Sequence, residues 1–396
     1  MASAATHSRT RAVGLASIAV SALILAACGG GGGGSTSVAT KSSYASGRIS
    51  GFGSIVVNGV HYKDELAQVQ DEDGATHDRS ELKLGMVVEV SANEIDDSTG
   101  VRTAAAQSIV YSTLMRGPVE SVGADSVVIL GQTVKVTPVT VFDDSMVGGL
   151  ATLKAGDVVE VHGMLDATTG AYTATRIEPE ADAQSYRLRG IVGSYDSVTT
   201  TLRIGNAVID VSTATVPDGG IQAGDPVRVR MQTAQVNGEW VATSVRSARF
   251  RPHDSDHSEI DGVITDFTSA TAFSLDGLPV DASKATFPEG TDGIVKGARV
   301  EVEGSVVNGV LVATKVEPKS EMDDQSEGFE VDGTIDAVDT VKSTFVVRGV
   351  TVSYAGSPSF RGGTAADLSP GDRVEVHGAL AADGVTVDAT KIEFKP

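Results

Sequence analysis

Valine alternates with polar residues in Gly156-Asp157-Val158-Val159-Glu160-Val161-His162-Gly163, and variants of the same phrase begin at Gly85, Gly224, Gly297 and Gly371. In the last copy Val374 and Val376 alternate with Glu375 and His377. A period of two buries one face and wets the other, so each phrase predicts a half-buried strand. The leading glycine suits a tight turn entering that strand, because it tolerates backbone angles that other residues resist. Both histidines are expected on the polar outer face. Ser91, Arg230 and Glu303 hold the equivalent positions, so the copies share no imidazole chemistry there.

The phrase marks the fourth strand of a longer unit. Gly47, Gly117, Gly190, Gly262 and Gly333 open five units at intervals of 70, 73, 72 and 71 residues, the mark of a tandem array. The units run over 46–111, 116–178, 187–249, 259–317 and 328–394. A first strand follows the opening glycine, as in Ile191-Val192 or Val263-Ile264. A hairpin comes next, turning at Asn58-Gly59 or Asp276-Gly277, dipeptides that favour the mirror-type turns matching strand twist. A second turn, Asn237-Gly238, Asn308-Gly309 or Asp383-Gly384, precedes a fifth strand. That strand reads Ala174-Thr175-Arg176-Ile177-Glu178 in the second unit, with close copies at 313–317 and 389–393. Trp240 sits at the start of the fifth strand of unit three and is expected in its core.

Five short antiparallel strands in about 65 residues predict an all-β protein, a tandem array of small OB-like barrels. A small two-sheet sandwich is the alternative for each unit. Closure is expected to remove strand edges that would otherwise pair between units. Residues 179–186, 250–258 and 318–327 hold proline or clustered acids and read as exposed hinges, giving a jointed rod. Residues 112–115 are short and partly apolar, so units one and two are expected to dock.

Ahead of the units, Arg9 and Arg11 precede an uncharged, mostly apolar run over 12–27, which is a signal-peptide core. It ends in Leu25-Ala26-Ala27-Cys28. This closely resembles the lipobox of bacterial lipoproteins. The resemblance implies cleavage after residue 27, lipid on the Cys28 sulfur and acylation of the new amino group, so that 1–27 is the signal peptide. Several acyl chains together anchor stably where one is marginal. Gly29, in place of aspartate, resembles the outer-membrane sorting class, on either the periplasmic or the surface side. The run Gly29–Gly34 makes 28–45 a flexible tether.

The repeat itself resembles a family of bacterial lipoproteins carrying tandem copies of an uncharacterised domain. The resemblance rests on the opening Gly-x-Ile/Val, on Leu-x-x-Gly-Asp-x-Val-x-Val-x-Gly at 153–163 and 368–378, and on the Ala-Thr-Lys/Arg-Ile-Glu endings. It covers the chain from about residue 47 onward and implies a fold without an activity. Unit three departs most, with Pro226 after Asp225 and Met231 in place of the closing glycine, so an irregular fourth strand is expected there.

Composition narrows the chemistry. The net charge of −21 disfavours binding to phosphate backbones, and a single Trp with 5% aromatics offers little for stacking. Nucleic acid is therefore not an expected partner. Cys28 is the only cysteine, so there is no intrachain disulfide. No Gly-x-Ser-x-Gly or Walker loop occurs, and the histidines are scattered, so no catalytic residue, enzyme activity or cofactor is expected. Two stretches offer metal ligands. Asp71, Asp73 and Asp78 supply the hard oxygens calcium prefers, and His253, Asp254, Asp256 and His257 mix imidazole with carboxylate. The expectation is a non-enzymatic outer-membrane lipoprotein that binds, assembles or spaces envelope components, held by Cys28, with divalent cations as minor ligands. The alternative is an envelope protein binding an oligosaccharide, peptide or divalent cation through one specialised unit, unit three being the candidate.

Overall fold

The computed structural model describes residues 41–166 and 169–396. The stretch read as a signal peptide, Cys28 and most of the stretch read as a tether lie outside the described residues. The opening strand of the first barrel, Ser42–Arg48, begins inside the stretch read as tether.

Each unit is a closed five-stranded barrel. In the second, Met115–Val122 pairs antiparallel with Ser126–Ile129, which turns back into Gln132–Lys135. Gln132–Lys135 runs parallel to the fifth strand, Ala171–Pro179. The fourth, Val158–Asp166, pairs with the fifth and returns to the first. The order 1-2-3-5-4-1, with strands three and five parallel, recurs in the other four barrels, with a break in the opening strand of barrels one and three. This is the OB-like closure rather than the sandwich.

The valine phrases build the cores. Val159 and Val161, Val300 and Val302, and Val374 and Val376 are all essentially fully buried. Each such side chain contributes up to about 2 kcal/mol of apolar transfer free energy. The leading glycines all hold positive φ, from 83° at Gly85 to 99° at Gly371. The opening glycines have a different cause. The first residue of the hairpin turn lies across them: Asn58 over Gly47, Leu130 over Gly117, Asp276 over Gly262 and Arg348 over Gly333, so any Cβ there would collide. Barrel three keeps its fourth strand, Pro226–Val236, but as expected it is irregular, with register shifts on both sides of Met231 where each other barrel has one. Proline is tolerated as its first residue, and Met231 falls in a bulge where other barrels place a small residue. Trp240 is buried against Tyr186, ring centroids 5.5 Å apart.

Closure does not remove every edge. In barrel four the opening strand Ser255–Ser269 pairs with the fourth strand over its first half and with the second strand only from Ile264 onward. Its first half therefore keeps one bare side, and that side pairs in parallel with barrel one, Ser43↔His257 through Ser46↔Ile260. Barrel one joins barrel five by Gly51↔Glu330 and Phe52↔Val331. Barrels two and three meet by Arg187↔Arg116 and Leu188↔Met115. Barrels distant in sequence are thus hydrogen-bonded through their opening strands, which replaces the expected rod of separate beads.

The supposed hinges take part in this packing. Residues 255–258 already belong to the opening strand of barrel four. Residues 321–327 form a helix, Glu321–Glu327, started by a capping box on Ser320 and Asp323. Its buried Asp324 faces Arg48 of barrel one at 3.5 Å and pairs with Arg299 of barrel four, which also grips Asp261. These acids, read as solvated, are counter-ions for buried arginines.

Candidate functional site: a cavity where four barrels meet

Barrel one lays its acidic loop into an arginine face of barrel three. That face is the outer side of the strands that carry Arg187, Arg189, Arg228 and Arg246, where period two puts them together. Glu72 pairs with Arg189 and, at 2.9 Å, with Arg228. Asp73 faces Arg187 at 3.2 Å and Arg246 at 3.3 Å. Asp71 turns one oxygen to the amides of Asp73 and Ala75 and the other to Arg187 at 3.4 Å. Burial works to raise its pKa, but the two amides and Arg187 outweigh it and hold the carboxyl below its ordinary value. Asp78 lies apart, capping the short turn Arg79–Glu81 through the Ser80 amide. The outer-face arginines of barrel three are thus occupied by barrel one.

The second candidate stretch divides in the same way. Asp256 accepts the Ser42 amide at 2.9 Å, and His257 lies 2.9 Å from the buried Glu259, which also pairs with Arg102. Burial, then Arg102, push the His257 pKa down. His253 and Asp254 are exposed. Asp256 and His257 therefore stitch the seam between barrels one and four.

Beside the arginine clamp lies a cavity of about 480 Å³ walled by barrels one to four. Its apolar lining comes from Leu114 and Leu165 of barrel two, Ile191 and Pro226 of barrel three, Phe250 from the connection and Val263 of barrel four. Polar groups converge on it from several directions: Glu89, Arg189, Asp266, Asp276 and Lys296. Arg189 is committed to Glu72 and to the Ala248 carbonyl at 3.3 Å. Glu89 accepts the Tyr44 hydroxyl at 2.7 Å, and burial pushes its pKa up. Asp276, at the hairpin turn, has only the Val263 amide as a hydrogen-bond donor among the described residues, at 3.4 Å from each oxygen. Burial, then the nearby Asp261 charge, push its pKa up from 3.8 to about 7 although the side chain keeps some contact with solvent. The size and the mix of apolar walls with few polar groups are those of a small-molecule site.

His162 differs most from its sequence reading. It faces outward from its own barrel yet is fully buried, because barrel one covers it. Its Nδ1 lies 2.8 Å from the Ser112 carbonyl and its Nε2 3.4 Å from Glu178, with the Tyr111 ring edge-on. Burial lowers the imidazole pKa, but Glu178, Glu160 and the carbonyl outweigh it and leave it raised. The expected polar outer face holds for the barrel and fails for the assembly.

Four of the five barrels, at residues 116–178, 189–246, 261–317 and 332–393, match the family described as Domain of unknown function (DUF5666). The chain belongs to that family. Barrel one, with the same strand order, falls outside the matched stretches, whereas unit three lies within them. No curated protein matches the chain. Periodicity had no means of finding the cavity or the clamp, since both join residues from barrels far apart in sequence.

Proposed function

We propose that this is a non-enzymatic, lipid-anchored protein of the cell envelope, in which tandem barrels build one shared binding body. The observation that carries the reading is the cavity, which no single barrel could form. It needs Glu89, Leu165, Ile191 and Asp276 from four different copies. Repetition then has a use, as the copies are the walls of a common site. Among the polar groups that line the cavity, Arg189 is already paired, whereas Asp266, Asp276 and Lys296 are left without ion pairs among the described residues, two carboxyl groups to one ammonium. A small amphipathic ligand carrying a positive group suits that lining.

Anchoring rests on the lone cysteine directly after an apolar run. Changing Cys28→Ser should move the protein from the membrane to the soluble fraction and abolish incorporation of labelled palmitate. Retention of label would contradict it. For the cavity, native mass spectrometry of protein released gently from membranes should reveal a small co-purifying amine or organic cation, lost from Asp276→Asn. Recovery of protein partners alone, with an empty cavity, would favour an assembly role instead.

A further inference from the structure

The seam between barrels one and five brings together two imidazoles and two carboxylates. Glu375 and His377 alternate along the fourth strand Arg373–Leu380 and so share its outer face. Glu330, on the opening strand, is the direct cross-strand partner of His377. One ligand atom from each of Glu330, Glu375 and His377 lies within 4.8 Å of the others. From barrel one, His61 reaches the same Glu330 oxygen that His377 faces, at 3.6 Å from Nε2, while Nδ1 of His377 stands at 4.0 Å. Both separations exceed a hydrogen bond. Among the described residues no donor reaches the Glu330 carboxylate within hydrogen-bond distance, although it is only part-exposed.

We propose that this seam binds a divalent transition metal, zinc by preference, through Glu330, Glu375 and His377, with His61 as a fourth ligand from barrel one. Ligand bonds of 2.0–2.2 Å at a tetrahedral zinc set neighbouring ligand atoms about 3.4 Å apart. The His61–Glu330 gap of 3.6 Å needs to close by about 0.2 Å to meet that spacing. His377 faces Glu330 with Nδ1 at 4.0 Å and Glu375 with Nε2 at 2.8 Å, and since it gives the metal one nitrogen, its ring must turn as the hydrogen bond to Glu375 is exchanged for the metal. Imidazole with carboxylate is the donor set of zinc rather than of calcium or magnesium. Lys395, 2.7 Å from the other Glu375 oxygen, orients that carboxylate, and Lys391 stands 3.6 Å from the oxygen offered to the metal.

Barrel two brings ligand atoms of Glu160, His162 and Glu178 equally close, within 4.8 Å of one another, but commits them to other partners. There Glu160 accepts from Thr113 at 2.5 Å and Arg116 at 2.6 Å, Glu178 accepts from Arg176 at 2.9 Å, and His162 is sealed from solvent. The strand register puts Leu114 where barrel five has Glu330. The metal would tie barrel five to barrel one where their backbones pair only at Gly51 and Phe52.

The test is equilibrium dialysis of the purified full chain against zinc, with Co²⁺ absorption as a report of geometry. Wild-type protein should take up one zinc that stabilises it against heat and show the strong visible bands of tetrahedral cobalt. Glu330→Gln and His377→Ala should each weaken zinc at least tenfold and lose the zinc-dependent rise in Tm, while His253→Ala leaves both unchanged. Glu330→Gln removes no packing, and an unchanged metal-free Tm will separate lost ligation from misfolding. Absence of zinc uptake, equal affinity in the Glu330 variant, or loss of zinc in the His253 variant would each overturn the proposal.

Discussion

The side chain of Asp276 lies directly across the backbone of Gly262, filling the space where a Cβ would stand. The same pairing of hairpin turn and opening glycine recurs with Leu130 over Gly117, its Cγ only 2.6 Å from an ideal Cβ. This contact explains why the glycines keep a period near seventy residues. In four barrels the turn closes over the first strand in this way; at Gly190 of barrel three, Ile204 just before the turn and Tyr172 of barrel two fill the space.

Gly117→Ala should therefore cost about 1–3 kcal/mol, since Leu130 has no room to retreat in a packed core. Gly356→Ala, in open space, should stay within about 0.5 kcal/mol of wild type. Urea unfolding followed by tryptophan fluorescence and by circular dichroism measures both. Equal effects would remove the proposed reason for the period.

Glu72 joins barrel one to barrel three through Arg189 and Arg228. Glu72→Gln leaves two half-buried guanidinium groups short of a counter-charge and should destabilise by about 1–3 kcal/mol. A double-mutant cycle with Arg189→Met should give a coupling of about 1 kcal/mol or more. Additive effects would mean that the loop rests on the arginines without holding them.

Asp276 makes stability depend on pH with a definite sign. Its folded pKa of about 7 lies above the ordinary 3.8, so the folded state binds the extra proton between those values. That contribution is complete below about pH 4 and is lost as pH rises through 7. Asp276→Asn keeps a residue suited to the positive φ of 47° and removes the charge. It should stabilise by on the order of 1–2 kcal/mol at pH 8, discounted for partial exposure, and change little at pH 4. Denaturant midpoints at the two pH values decide it, and no difference between them would contradict the burial argument.

The barrels were legible because their causes are local. Alternating valines such as Val374 and Val376, turn pairs such as Asn58-Gly59, and repeated endings such as Ala389-Thr390-Lys391-Ile392-Glu393 each specify a strand or turn within a few residues. The assembly was not legible, because its causes are distant. Asp71 and Asp73 read as calcium ligands because the arginines that meet them lie more than a hundred residues away. His162 read as exposed because period two reports only which side of its own strand it occupies. Asp324 read as part of a solvated hinge because neither Arg48 nor Arg299 is near it in sequence. The cavity belongs to the same class, and so does the Glu330 cluster, whose Glu-x-His half was visible but whose cross-strand and cross-barrel halves were not.

The central claim is that barrels far apart in sequence share hydrogen bonds along their opening strands, and residue-resolved hydrogen exchange over 43–46 tests it most directly. Successive amides in a strand point to opposite sides, so a strand paired only with Val90 and its neighbours would protect every second amide. Pairing on both sides, with barrel four at Ser43↔His257 through Ser46↔Ile260, predicts slow exchange at consecutive amides across the segment. An alternating pattern of slow and fast amides would mean a bare edge, and the barrels would be separate beads after all.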